Sequence, residues 1–200
     1  FDAVTALDLE RPRFVIPRVE TVAGDVTALA MPDRSFDCSF CAEVLEHIPA
    51  VEKACQELMR VTRHEILIGV PYRQDTRIGQ STCGKCGKIS PCWGHVNTFD
   101  EARLRSLFPG WDMAAQSFVG SNSEVTNAVS AWLMNRAGNP YGTYGQDEPC
   151  VHCGANLERP ATDGGLSSRI SRGVAVRLSA MQSRFTAPRG NWIHVLFRRP

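Results

Sequence analysis

The sequence predicts an α/β layered domain with a mostly parallel sheet. Three observations lead there. Short apolar runs of strand character alternate with stretches of helical period. Several runs close on an acid or on Gly-Asp, residues suited to the turn that follows a strand. Two Cys- and Gly-bearing stretches, 73–96 and 139–158, follow neither period and read as insertions into a single domain spanning 1–200.

The elements follow in order. Val4–Asp8 is a short apolar run ending in an acid, and the strand reading extends back to Phe1. Val19–Ala23 is a second strand, closed by Gly24 and Asp25, and Pro12 and Pro17 discourage a helix between the two. Ser35–Cys41 follows the Pro32-Asp33 turn signal as a third strand. Val51, Cys55, Leu58, Met59 and Val61 recur with a helical period, and Glu65–Val70 is a strand ended by Pro71. Asp100 suits the N-cap of a helix through Leu104 and Leu107, stopped by Pro109-Gly110. Trp111–Val119 is a further strand. Glu124–Arg136 is expected as a helix with Val125, Val129, Trp132 and Leu133 on one face. Ile170, Val174, Leu178, Met181 and Phe185 mark a second helix face, with Arg169, Arg172, Arg177 and Arg184 solvated mostly elsewhere on the wheel. Asn191–Arg198 is the last strand.

Composition narrows the function classes. The 200 residues suffice for one domain with a core. A net charge of +1 gives no electrostatic basis for binding nucleic acid or an anionic membrane. No apolar run approaches the roughly 20 residues that cross a bilayer. The chain begins without Met and already in strand, so further residues are expected upstream of Phe1.

The eight cysteines divide by context. Cys38, Cys41 and Cys55 sit in apolar patterns as small hydrophobes. Cys83, Cys86, Cys150 and Cys153 form two C-x-x-C pairs, each followed by glycine, Gly87 and Gly154. Two tight turns presenting paired sulfurs make a closed four-thiolate site, which points to a structural zinc ion. Cys92, His95 and His152 are substitute ligands that break the paired geometry. Free cysteines or a redox C-x-x-C are the competing readings. Thiolate metal sites persist where thiols stay reduced, so a cytoplasmic protein is expected.

An acid at the carboxyl end of a strand can accept both hydroxyls of a ribose, and the ligand crevice of open α/β sheets lies at those ends. Asp8 and Asp25 stand there; each can equally cap the turn it begins.

The order of these features resembles the class I S-adenosylmethionine-dependent methyltransferases, in the group that acts on small molecules. The likeness runs through Asp8, Gly24-Asp25-Val26, Pro32-Asp33-Arg34-Ser35-Phe36-Asp37 and Glu43-Val44-Leu45-Glu46-His47-Ile48. It continues in Gly94-His95-Val96-Asn97-Thr98-Phe99 and in Asn191–Phe197. The resemblance implies a Rossmann-like seven-stranded sheet whose first strand and Gly-rich loop lie ahead of Phe1, with a zinc-knuckle insertion. It implies that Asp8 holds the ribose, Asp25 and the backbone N–H of Val26 read the adenine, and Cys41 lies near the methionine part through its backbone. Glu43, His47 and His95 are the candidate general bases; His47 and His95 can also be packing residues. The implied reaction moves a methyl group to a small-molecule or sugar-containing acceptor, and the cysteine segments are expected to cover the acceptor side. The alternative is a non-catalytic, zinc-stabilised binding module on the same scaffold.

Overall fold

The computed structural model describes residues 2–159 and 165–200, so Phe1 lies outside the described residues. In chain order the elements are β1 (Val4–Asp8), β2 (Val19–Ala23), β3 (Phe36–Ala42), α1 (Val51–Val61) and β4 (Thr62–Pro71). Then follow β5 (Ser81–Thr82), β6 (Ile89–Ser90), α2 (Glu101–Leu107), β7 (Asp112–Val119), α3 (Ala128–Arg136), α4 (Leu166–Ser183) and β8 (Trp192–Arg198).

The fold is α/β with a mixed sheet, seen in two pieces where one continuous sheet was expected. β1 and β2 form a parallel pair, and β3-β4-β8-β7 form a four-stranded sheet. β3 and β4 are parallel, with Cys41 opposite Ile68. Bonds from Tyr72 N to Asn191 O and from Arg199 N to His64 O flank β4 and β8 and make that pair antiparallel, as expected for the last strand.

The chain divides into two compact units. The first comprises 1–70, 101–117 and 194–200. Its core follows the sequence periods. α1 buries Val51, Ala54, Cys55, Leu58 and Val61 on one face, and β4 buries Ile66, Ile68 and Val70 on alternate residues. Phe108, just after α2, stacks on Phe197 of β8 with ring centroids 4.4 Å apart. Each such fully buried side chain stabilises the fold by about 1.5–3 kcal/mol. Gly69 is required by close packing: a Cβ there would lie 2.9 Å from the ring of His194.

The second unit comprises 71–100 and 118–193. The stretch 73–96, expected to be irregular, contains the short antiparallel pair β5–β6. α3 begins four residues later than the period suggested, because Asn127 caps it by accepting the Ser130 N–H at 2.9 Å. Its expected apolar face is not its buried one. Val129 and Trp132 are exposed, while Ser130 and Ala131 are buried. The stripe on α4 is likewise turned out, with Ile170 59% and Phe185 87% exposed and Ala175 only 1%. α3 and α4 pack together, and polar pairs at the start of α3 join them, Thr126 Oγ1 to Ser179 Oγ at 2.8 Å and Asn127 Nδ2 to Gln182 Oε1 at 3.0 Å. Small side chains allow closer approach than the large apolar residues would.

Candidate functional site

β1 and β2 end side by side, Asp8 opposite Ala23. The Gly24 N–H bonds the Asp8 carbonyl at 2.8 Å, and Gly24 lies so close to Leu7 that a Cβ would sit 2.9 Å from its Cδ1. Asp8 is exposed, and its Oδ1 accepts the next N–H, of Leu9, at 2.6 Å. Asp25 builds a turn: Oδ1 accepts both the N–H and the hydroxyl of Thr27 at 2.8 Å. The Thr27 N–H, then its hydroxyl, hold the Asp25 carboxyl below its ordinary range, so it is an anion at neutral pH. Turn-capping is therefore a role that both acids fill. It does not exhaust them, since a carboxylate offers about four acceptor positions over two oxygens.

The loop after Asp25 is fixed from α1. Arg60 donates to the carbonyls of Leu29 and Met31 and to the carboxylates of Asp33 and Glu57, at 2.8–2.9 Å. Glu57 in turn accepts the Leu29 N–H at 2.8 Å. Five donors in a fixed fork let one guanidinium serve several acceptors at once, which a lysine could not match. The sequence reading did not single out Arg60 or Glu57. Their only signal is their separation of three on a helix, which is common on solvated faces.

β3 ends in Cys41 and Ala42. Cys41 is buried, and burial, then the charge of Glu46, push its thiol up to about 12. It stays a neutral thiol, which suits a wall and not a nucleophile. The chain turns at Glu43, whose φ is 58° and whose N–H bonds the Gly69 carbonyl at 3.1 Å. A non-glycine residue in this left-handed region is uncommon and marks a position fixed by its surroundings. A 3-10 turn, Leu45–His47, follows. Within it Glu46 is wholly buried, and beyond its own backbone N–H neither carboxylate oxygen has a hydrogen-bond partner among the described residues. Burial raises its carboxyl to about 7; its own backbone N–H works against this, and the charge of Glu43 adds to it. Glu46 lay in the motif read from the sequence, yet only Glu43 and His47 were singled out there. The ligand atoms of Glu46 and His47 lie within 4.8 Å of each other. His95 belongs to the second unit, where its Nδ1 pairs with Gln74 Oε1 at 2.6 Å.

The second unit brings the four paired cysteines together. Cys83 Sγ is 3.7 Å from Cys153 Sγ, and Cys86 Sγ is 3.7 Å from Cys150 Sγ. All four sulfurs lie within 4.8 Å of one another. Tetrahedral thiolates at about 2.3 Å from a zinc ion would stand about 3.8 Å apart, so the donor set fits. The two knuckles repeat one backbone pattern. Gly87 N and Gly154 N bond the carbonyls of Cys83 and Cys150 at 2.9 Å, and Cys83 N and Cys150 N bond Lys88 O and Ala155 O. Both glycines have φ near +68°, at 69° and 67°, as this turn requires. Backbone N–H groups, first that of Cys86, pull the Cys83 thiol down. Burial opposes ionisation of Cys150, but the Ser90 hydroxyl and the N–H groups of His152 and Cys153 outweigh it and lower it to about 6. The Ala155 N–H pulls the Cys153 thiol down, but burial and the sulfurs of Cys86, Cys83 and Cys150 outweigh it and raise it to about 11; four clustered thiols resist joint ionisation unless a cation joins them. The substitute ligands are engaged elsewhere. Cys92 Sγ lies 2.9 Å from Thr143 Oγ1, and His152 Nε2 lies 3.0 Å from the Ile89 carbonyl.

Comparison with known proteins bears on the first unit most directly. Residues 2–67 match the family model described as a methyltransferase domain. No curated protein matches the chain. Among solved structures, a methyltransferase candidate from Bacillus halodurans shares 12% identity at a TM-score of 0.51, covering 92% of this chain and 73% of the other. An S-adenosylmethionine-dependent methyltransferase from Mesorhizobium loti shares 13% identity at a TM-score of 0.44, covering 99% and 81%. The [4+2]-cyclase SpnF shares 15% identity at a TM-score of 0.45, and this chain spans 56% of its length. At these identities the likeness is one of fold. No helix among the described residues is long and apolar enough to cross a membrane.

Proposed function

We propose that this chain, built on the class I methyltransferase fold, binds S-adenosylmethionine at the carboxyl ends of β1, β2 and β3 and directs its methyl group to a small-molecule or sugar-containing acceptor. The observation that carries the reading is the Asp25 turn. An ionised carboxylate and the following Val26 N–H stand at the end of β2, beside Asp8 at the end of β1, on a loop that Arg60 holds in place. In this reading Asp8 accepts from the ribose hydroxyls, Asp25 accepts from the adenine amine, and Val26 N–H donates to the ring.

The sulfonium of the cofactor supplies the activated methyl and its own leaving group. The protein's part is alignment and exclusion of water. Cys41 forms an uncharged wall at the end of β3. In this reading Glu43, exposed on a turn with φ 58°, or His47 takes the proton that the acceptor gives up as its new bond to the methyl carbon forms. The four cysteines hold a structural zinc ion: four thiolates would close its coordination sphere, leaving no position for a substrate. A reduced, cytoplasmic setting suits such a site.

Calorimetric titration of S-adenosylmethionine into the zinc-loaded natural protein tests this. Micromolar binding that Asp25→Ala weakens by about tenfold or more is the expected result. A folded, zinc-bound protein that does not take up the cofactor would instead be a zinc-stabilised binding module.

A further inference from the structure

Glu46 is the least accounted-for group in the first unit. A carboxylate that is wholly buried with no partner among the described residues beyond its own backbone N–H is rare in a native fold, where buried charges are paired or bind metal. Nothing about the turn suggests that it is loosely held. Leu45 beside it is fully buried, the His47 N–H bonds the Val44 carbonyl at 3.0 Å, and the Ile48 N–H bonds the Leu45 carbonyl at 3.3 Å. The turn begins three residues after the last residue of β3, at the strand end where ligands of α/β sheets are held. Two donors at about 2.1 Å from one ion stand about 3 Å apart when adjacent and about 4.2 Å apart when opposite. One ligand atom of Glu46 and one of His47 lie within 4.8 Å of each other, close enough for small side-chain movements to bring both onto one ion.

We propose that Glu46 and His47 are ligands of a second, non-thiolate site for a first-row divalent cation. Carboxylate oxygen and imidazole nitrogen together suit Mn2+, Fe2+ or Zn2+, while the four-cysteine site selects soft, thiolate-binding ions. The cation supplies the positive charge that the buried carboxylate lacks, and water completes its shell. The site does not depend on methyl transfer. If the proposed reaction holds, a cation on His47 leaves Glu43 as the proton acceptor.

The test uses Mn2+ with the natural protein already loaded with zinc at its cysteines, so that the two sites are filled by ions of different preference. Free Mn2+ is followed by electron paramagnetic resonance. One bound Mn2+ is expected, with an imidazole nitrogen coupling in its spin-echo spectrum. Glu46→Gln should weaken it by roughly tenfold or more, and His47→Asn should abolish the nitrogen coupling. Absence of Mn2+ binding up to about 1 mM overturns the proposal. So does bound Mn2+ whose affinity and nitrogen coupling survive His47→Asn. Should Glu46→Gln fail to fold, the His47 variant decides alone.

Discussion

Cys83 and Cys153 are 70 residues apart in the chain and 3.7 Å apart at sulfur. Each sits in a knuckle of the same backbone pattern, and the buried Leu157 with the half-buried Tyr144 packs against the cluster. The Tyr144 hydroxyl accepts the Thr82 N–H at 3.1 Å and donates to the Gly138 carbonyl at 3.3 Å, tying both segments to one small core.

Metal should therefore hold the second unit together. Elemental analysis is expected to find one zinc per chain at the cysteines. Chelation, or Cys83→Ser with Cys150→Ser, should destabilise the unit by several kcal/mol, given the about 10–16 kcal/mol that zinc contributes in the smallest zinc-dependent folds. An unchanged thermal transition after zinc removal would contradict this.

Arg60 acts on the candidate cofactor loop without being part of it. Arg60→Met keeps the aliphatic stem and removes the fork that holds Leu29, Met31 and Asp33. Cofactor affinity should fall by roughly tenfold, as expected when a positioning interaction of a binding loop is lost. Backbone exchange should rise across 26–34 while α1 stays protected. If exchange there is unaltered, the loop is held by something else.

Asp75 makes stability pH-dependent. Burial raises its carboxyl, but the Arg77 guanidinium and the N–H groups of Thr126 and Arg77 outweigh it and lower it overall. A depressed carboxyl stabilises the fold above its unfolded value of about 3.9, and that contribution disappears as pH falls through the lower folded value. Asp75→Asn should cost roughly 1–2 kcal/mol at pH 7, discounted for the half-exposed Arg77, and close to nothing near pH 2. Denaturant melts of both proteins across pH 2–7 check the convergence; a constant gap would refute it.

Gly142 is a packing requirement. A Cβ there would lie 2.2 Å from the Gln80 carbonyl oxygen, a backbone atom that cannot rotate away. Gly142→Ala should destabilise the second unit by about 1–3 kcal/mol, with wild-type-like stability as the contrary result.

Much of the architecture was legible in the residues themselves. β1, β2 and α1 have the bounds that the sequence suggested: Asp8 closes β1, Gly24 follows β2, and the helical period of α1 ends at Val61, where the chain passes directly into β4. The paired spacing of the four cysteines foretold their meeting, since each C-x-x-C-G already contains its own turn. The geometry of Gly24, Asp25 and Thr27 is likewise local, made within a few residues. Tertiary structure alone decided which faces are covered. The apolar stripe of α4 identifies an apolar face, yet Ala175 is the residue of α4 that is buried, and small residues let helices approach. It alone decided that Arg60 reaches the 29–33 loop and that Glu46, one of two acids in a polar motif, is the buried one. Periodicity and turn chemistry act over a few residues and can be read along the chain. Burial and long-range hydrogen bonding depend on what the rest of the chain brings alongside, and those belong to the folded molecule.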